Sequence, residues 1–113
     1  MGPGAGMDRL EDAKRLFLDA MALQEKGDLE RAGALYKKAL DLAPGRPSVM
    51  NNLAAVYIGL NRYADARLLC ERLLEENPED ETALVNLGNC QLKLGSPADA
   101  LLSCEKALRL KPG

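Results

Sequence analysis

The residues able to do chemistry are few, and their types rule out several reaction classes. The chain has 113 residues and no histidine, so Ser-His and Cys-His nucleophile pairs and the commonest metal ligand are missing. Its cysteines, Cys70, Cys90 and Cys104, are odd in number and have no CxxC spacing. That speaks against a disulfide framework and for a reducing, cytoplasmic setting. Cys70 and Cys104 stand among Ala and Leu at helix-core spacing and are expected to be buried, inert thiols, with Cys90 buried as well. Glu75, Glu76, Glu79, Asp80 and Glu81 form an acidic run that reads as a solvated turn. Gly2-Pro3-Gly4 precedes no strand, so it is not a phosphate loop. No catalytic residue, metal or cofactor is expected. The polar groups that remain are asparagines: Asn51, Asn52, Asn86 and Asn89. An Asn amide is both donor and acceptor, so it can pair with a peptide backbone whatever the peptide's sequence.

The elements that must position these groups follow from composition and periodicity. The chain is 47% hydrophobic and 28% charged but only 4% aromatic, without Trp. A core built from Leu and Ala favours closely packed helices. The formal charge of -2 gives no sign of a nucleic-acid surface. No apolar run approaches the roughly 18 residues of a membrane span. Residues 1–7 read as a disordered Gly/Pro-rich lead-in without signal-peptide order.

Self-comparison finds a period of 34 residues. Pro44, Pro78 and Pro112 obey it, as do Ala32, Ala66 and Ala100, and Gly27, Asn61 and Gly95. The second and third copies also share Asn52/Asn86, Leu53/Leu87, Cys70/Cys104 and Leu74/Leu108. Gly27, Asn61 and Gly95 tolerate a left-handed backbone and so let the chain reverse. The alanines permit close helix approach, and the prolines stop a helix. Six helices are predicted and no strand. The first begins at the Asp8/Glu11 pair and runs to about Lys26. The second starts from an Asp28 cap and ends near Leu42. The third spans about Pro47 to Leu60, and the fourth Tyr63 to Glu76. Pro78 opens the fifth in its first turn. Ser96 caps the sixth, which ends near Leu110.

These residues resemble the tetratricopeptide repeat, in copies over 13–46, 47–80 and 81–113. Matching positions include Leu16, Ala20, Gly27, Ala32, Tyr36, Ala39 and Pro44 in the first copy. The second offers Leu53, Ala54, Tyr57, Ala66 and Pro78, and the third Leu84, Leu87, Gly88, Gly95, Ala100 and Ala107. Asp19 stands where a leucine is usual, and Gln91 replaces an aromatic. The resemblance implies an all-α fold, a right-handed superhelix of six antiparallel helices whose first helices line a concave groove. It places Lys14, Phe17, Leu18, Met21 and Glu25 on that wall, then Ser48, Asn51, Asn52, Ala55 and Ile58, then Thr82, Val85, Asn86, Asn89 and Lys93. The carboxylate-clamp branch, which grips heat-shock chaperone tails, is not matched. Phe17 and Met21 replace its first-copy Lys and Asn, Thr82 and Asn86 replace its third-copy basic residues, and only Asn52 fits. Asn52 and Asn86 are instead similar to the asparagine ladder of O-GlcNAc-transferase repeats. The alternative is that they are solvated or cap a helix. Phe17, Leu18 and Met21 either form an apolar anchor site or pack against a preceding repeat.

A third feature is the apolar last helix, with Leu101, Leu102 and Leu108. Terminal repeats usually carry a polar outer face. These leucines are therefore expected to stack on a second chain or on further repeats. Three functions compete. The leading one is a module that binds an extended protein or peptide segment, without nucleic acid or membrane. The others are a scaffold assembled through the last helix and the recruiting arm of a larger enzyme such as a glycosyltransferase.

Overall fold

The computed structural model describes the backbone of residues 5–111 and the side chains of residues 8–111. Six helices follow one another: α1 Ala5–Glu25, α2 Leu29–Leu42, α3 Pro47–Gly59, α4 Tyr63–Glu76, α5 Glu81–Lys93 and α6 Pro97–Leu110. No strand occurs among the described residues. The three hairpin turns share one geometry. Gly27, Asn61 and Gly95 have φ of 85°, 61° and 86°, the left-handed region that glycine and asparagine enter at least cost. Each reversal is closed by a backbone N–H reaching five residues back: Asp28 to Leu23 at 2.9 Å, Arg62 to Tyr57 at 2.7 Å and Ser96 to Gln91 at 2.8 Å. These bonds satisfy carbonyls that a helix end leaves bare.

Helix starts differ from the sequence reading in two places, α1 and α5, and at α6 the expected cap residue lacks its bond. The first helix begins at Ala5, so Asp8 lies in its first turn and faces the helix dipole without capping it. Pro78 precedes α5 in a turn; Asp80 is the cap, its carboxylate accepting the Ala83 N–H at 3.0 Å. A carboxylate three residues before a free helical N–H makes that bond directly, which no proline can. Ser96 occupies the cap of α6 but its side chain makes no capping bond. Asp28 does cap α2, accepting the Arg31 N–H at 3.3 Å. Met1–Gly4, and with them most of the lead-in, lie outside the described residues, as do Pro112 and Gly113.

Helices stack in sequence order, each against the next, with α3 also meeting α5. Ala20, Ala32 and Ala66 are wholly buried and Ala54 nearly so, so the helices of the first two hairpins touch across small residues. In the third hairpin Gly88 takes the place of Ala54; a β-carbon there would lie 3.0 Å from Cys104 Sγ and 3.4 Å from the Ala100 carbonyl oxygen. Between these contacts sit Tyr36, Val56, Cys70, Leu73 and Cys90, the largest fully buried side chains. The result is elongated, 52 × 27 × 24 Å, with a radius of gyration of 15.2 Å against about 13 Å for a compact domain of similar length. Stacking lengthens the array while each unit contacts only its neighbours.

One expected burial is overturned. Cys70 and Cys90 are buried, but Cys104 is exposed. Cys104 repeats the register of Cys70, yet among the described residues no helix packs on the outer face of α6 as α5 packs on α4. The Cys70 thiol is pushed up to about 12, first by burial and then by Cys90, Asp80 and Glu71 nearby. Burial also raises Cys90, partly offset by the Arg67 charge. Native packing thus favours neutral thiols. That stability is fully present below the ordinary thiol range near pH ~8.5 and is lost as pH rises toward the folded value. At pH 8, a thiol reagent should therefore titrate Cys104 alone in the folded chain, and all three cysteines in guanidinium. Fast labelling of Cys70 or Cys90 without denaturant would contradict the packing.

Candidate peptide-binding groove

The first helices of the three repeats form the inner layer. α3 meets α5 more extensively than α2 meets α4 or α4 meets α6, so the array curves toward α3 and α5 over the last two repeats. None of the fifteen wall positions expected from the sequence is buried. Lys14, Leu18, Met21, Glu25, Ser48, Thr82, Val85, Asn89 and Lys93 are exposed, while Phe17, Asn51, Asn52, Ala55, Ile58 and Asn86 are half-buried. Steps of three and four along each helix place such residues on one stripe.

The asparagines have unequal surroundings. The Asn52 amide donates to the Tyr36 hydroxyl at 3.4 Å, and that hydroxyl donates to Gln24 Oε1 at 2.6 Å. Three helices, α3, α2 and α1, are thereby joined at the floor of the groove. Burial pushes the Tyr36 phenol up, with the Asn52 bond working against it, so near neutrality it stays protonated and keeps both bonds. Asn86 has no such partner, because its counterpart of Tyr36 is Cys70. Its amide makes no side-chain hydrogen bond with the described residues. Asn51 is differently engaged: its amide donates to both Asp80 oxygens, at 3.2 and 3.1 Å. It ties α3 to the cap of α5, and its Oδ1 is buried without a partner. Asn51 therefore positions repeats, with its amide nitrogen turned toward the Asp80 carboxylate.

The apolar end is built on Phe17. Its ring lies 5.9 Å from that of Tyr36, tilted by 56°, a favourable edge-on contact. Leu18 and Met21 beside it are 55% and 37% exposed. Phe17, Lys14, Leu10, Ala39, Ala43 and Val49 also border a cavity of about 280 Å³, with Arg46, Ser48 and Glu11 at its rim.

Sequence reasoning missed the Gln24–Tyr36–Asn52 chain and the Asn51–Asp80 link. The second had a readable trace, an Asp two residues after a proline at a helix start. The first joins side chains from three helices and leaves no local pattern. Among the described residues no group of three His, Cys, Asp or Glu side chains could hold a metal ion, and no helix is long and apolar enough to cross a membrane.

The same architecture recurs in solved structures. The first repeat domain of Spaghetti (RPAP3), bound to the HSP90 peptide SRMEEVD, matches with a TM-score of 0.87 at 24% identity, over 92% of this chain and 82% of that one. The Arabidopsis OM64 repeat domain matches with a TM-score of 0.88 at 19% identity, over 92% and 86%. MamA from Desulfovibrio magneticus RS-1 matches with a TM-score of 0.84 at 26% identity, over 89% and 57%. Among curated sequences, cellulose synthase operon protein C of Pseudomonas fluorescens (strain SBW25) is 36% identical over 61 residues; the match covers 54% of this chain but only 5% of that relative's length. The tetratricopeptide repeat profile matches residues 23–82 and 60–113. With a 34-residue period, three stacked helical hairpins and a profile match over most of its length, the chain belongs to the tetratricopeptide repeat family.

Proposed function

We propose that the chain binds an extended peptide segment along the inner faces of α1, α3 and α5, with Asn52 and Asn86 pairing to the peptide backbone. The observation that carries this reading is the register of those asparagines: one repeat apart, half-buried, on consecutive inner helices. Asn52 is held through its N–H by Tyr36, which fixes the amide plane before a ligand arrives. Preorganisation of this kind lowers the ordering cost of binding. Phe17, Leu18 and Met21 supply an apolar site for one anchoring side chain. The RPAP3 domain of the same fold holds an HSP90 peptide. In this chain the wall carries Phe17, Met21, Thr82 and Asn86 where a clamp for an acidic tail needs basic and amide groups, which favours a ligand with an apolar anchor over an acidic one.

The test begins with a random peptide library selected against the full chain. Selected peptides should share one apolar residue and little else. The double variant Asn52→Ala, Asn86→Ala should weaken them by about tenfold or more, the scale of two lost hydrogen bonds. Its melting temperature should fall by only a few degrees (on the order of one lost hydrogen bond), because the Tyr36 hydroxyl keeps its bond to Gln24. Failure to select any peptide, or unchanged affinity in the double variant, overturns the proposal.

A further inference from the structure

Between the second helices of the first two repeats, α2 and α4, lies a cavity of about 480 Å³. It is bordered by residues between Leu40 and Asn77, in the middle of the array, and none of the groove residues lines it. Its floor is apolar: Leu69 and Leu73 are buried, and Leu40 and Met50 half-buried. Its rim is acidic. Asp41 stands on the α2 side and Glu75 and Glu76 on the α4 side, all exposed. Among the described residues none of these three carboxylates takes part in an ion pair.

The backbone adds charge of the same sign. α2 and α4 both end at the edge of the cavity, and neither has a basic residue in its last turn. A helix C-terminus carries a partial negative charge and bare carbonyls. Pro44 follows Leu40 by four residues and has no N–H, so it cannot close the Leu40 carbonyl in the helical way. One cation, Arg72, also borders the cavity. It is outnumbered by the three carboxylates.

The next repeat answers the same charge from within the chain. One period on, Glu75 and Asn77 are replaced by Arg109 and Lys111. Arg109 lies in the last turn of α6, and Lys111 pairs with Glu81 at 3.6 Å. The acidic run that reads in the sequence as one solvated turn is therefore divided. Glu75 and Glu76 edge the cavity, Asp80 caps α5 and Glu81 meets Lys111.

An apolar floor beneath carboxylates and two helix C-termini suits a cation on a long apolar stem. The carboxylates come from both sides of the cavity. A guanidinium, planar with five donors, can meet both sides at once, whereas an ammonium is a point charge. We infer that this cavity receives an arginine side chain of a partner protein, with an apolar residue beside it in the partner sequence. The site lies apart from the groove and does not depend on it.

The probe is the peptide Gly-Leu-Arg-Leu-Gly, acetylated and amidated so that its ends carry no charge. Titrated into the full chain and followed by amide NMR shifts, it should move residues 40–45 and 69–77, with a dissociation constant of about 1 mM or tighter. The same peptide with citrulline for arginine keeps the shape without the charge and should bind about tenfold more weakly; with lysine it should bind about threefold more weakly. In the chain, Asp41→Asn, Glu75→Gln, Glu76→Gln together should weaken the arginine peptide by about tenfold. These changes remove acids from last helical turns, where they are unfavourable, so the variant should remain folded, as circular dichroism checks. Arg72→Ala should act in the opposite direction and tighten binding by about threefold. Absence of shifts around the cavity, equal binding of the citrulline peptide, or indifference to the triple variant overturns the inference. So does weaker binding in Arg72→Ala, which would mark the cavity as a site for anions. The groove variant Asn52→Ala, Asn86→Ala should bind the probe as the parent does; a loss there would place the peptide in the groove and also overturn the inference.

Discussion

Replacing Tyr36 with alanine is expected to destabilise the chain by about 3–5 kcal/mol, the range for deleting a buried aromatic side chain. Tyr36 has no exposed surface and is the largest fully buried residue. Its ring supports Phe17, and its hydroxyl joins Gln24 to Asn52. The loss should lower the melting temperature by on the order of ten degrees or more. Tyr36→Phe separates the two roles. It keeps the ring and removes a hydroxyl that both donates and accepts, so it should cost about 1 kcal/mol in denaturant unfolding. Because it also releases the Asn52 amide, it should weaken groove peptides selected on the native chain. Equal stability of Tyr36→Ala and Tyr36→Phe would show that the ring carries little of the packing.

The second large effect is at Leu73. It is 2% exposed, and the same place in the other repeats is held by Ala39 and Ala107. Leu73→Ala is therefore compatible with the repeat pattern, and local propensity even favours it. The expected result is nevertheless a loss of about 2–5 kcal/mol, because the cavity would sit among neighbours arranged for the larger side chain. Leu73→Met, which nearly conserves volume, should cost less than about 1.5 kcal/mol. Urea unfolding of the three proteins checks both values. A Leu73→Ala chain as stable as the parent would mean that the helices close over the gap.

Much of the fold was legible because repetition amplifies local signals. Gly27, Asn61 and Gly95 recur at one interval and adopt one backbone conformation. The bounds of α4 agree with the reading to the residue, and those of α2 and α6 nearly so. The start of α5 was misread because Pro78 and Asp80 are both start signals, and only the hydrogen bond to Ala83 decides between them. The groove was legible as a stripe of residues but not as chemistry. Asn51 and Asn52 are adjacent and identical in type, yet one amide is committed to Asp80 and the other rests on Tyr36.

The period, the turns and the small-residue crossings were determined by the sequence alone, since each depends on residues within one hairpin. What each side chain faces was decided only by the tertiary structure. Cys70 and Cys104 share a register and a local sequence, but one lies beneath α5 and the other on the uncovered face of α6. Leu68 and Leu102 are exposed alike, although among the described residues only Leu68 has a following repeat. Periodicity sets the direction in which a side chain points; its neighbour is supplied by a separate helix, 12 residues away for Tyr36 and Gln24 and 29 for Asn51 and Asp80. That is why the repeat family was readable from the period, while the differing hydrogen-bond partners of its asparagines required the packed helices.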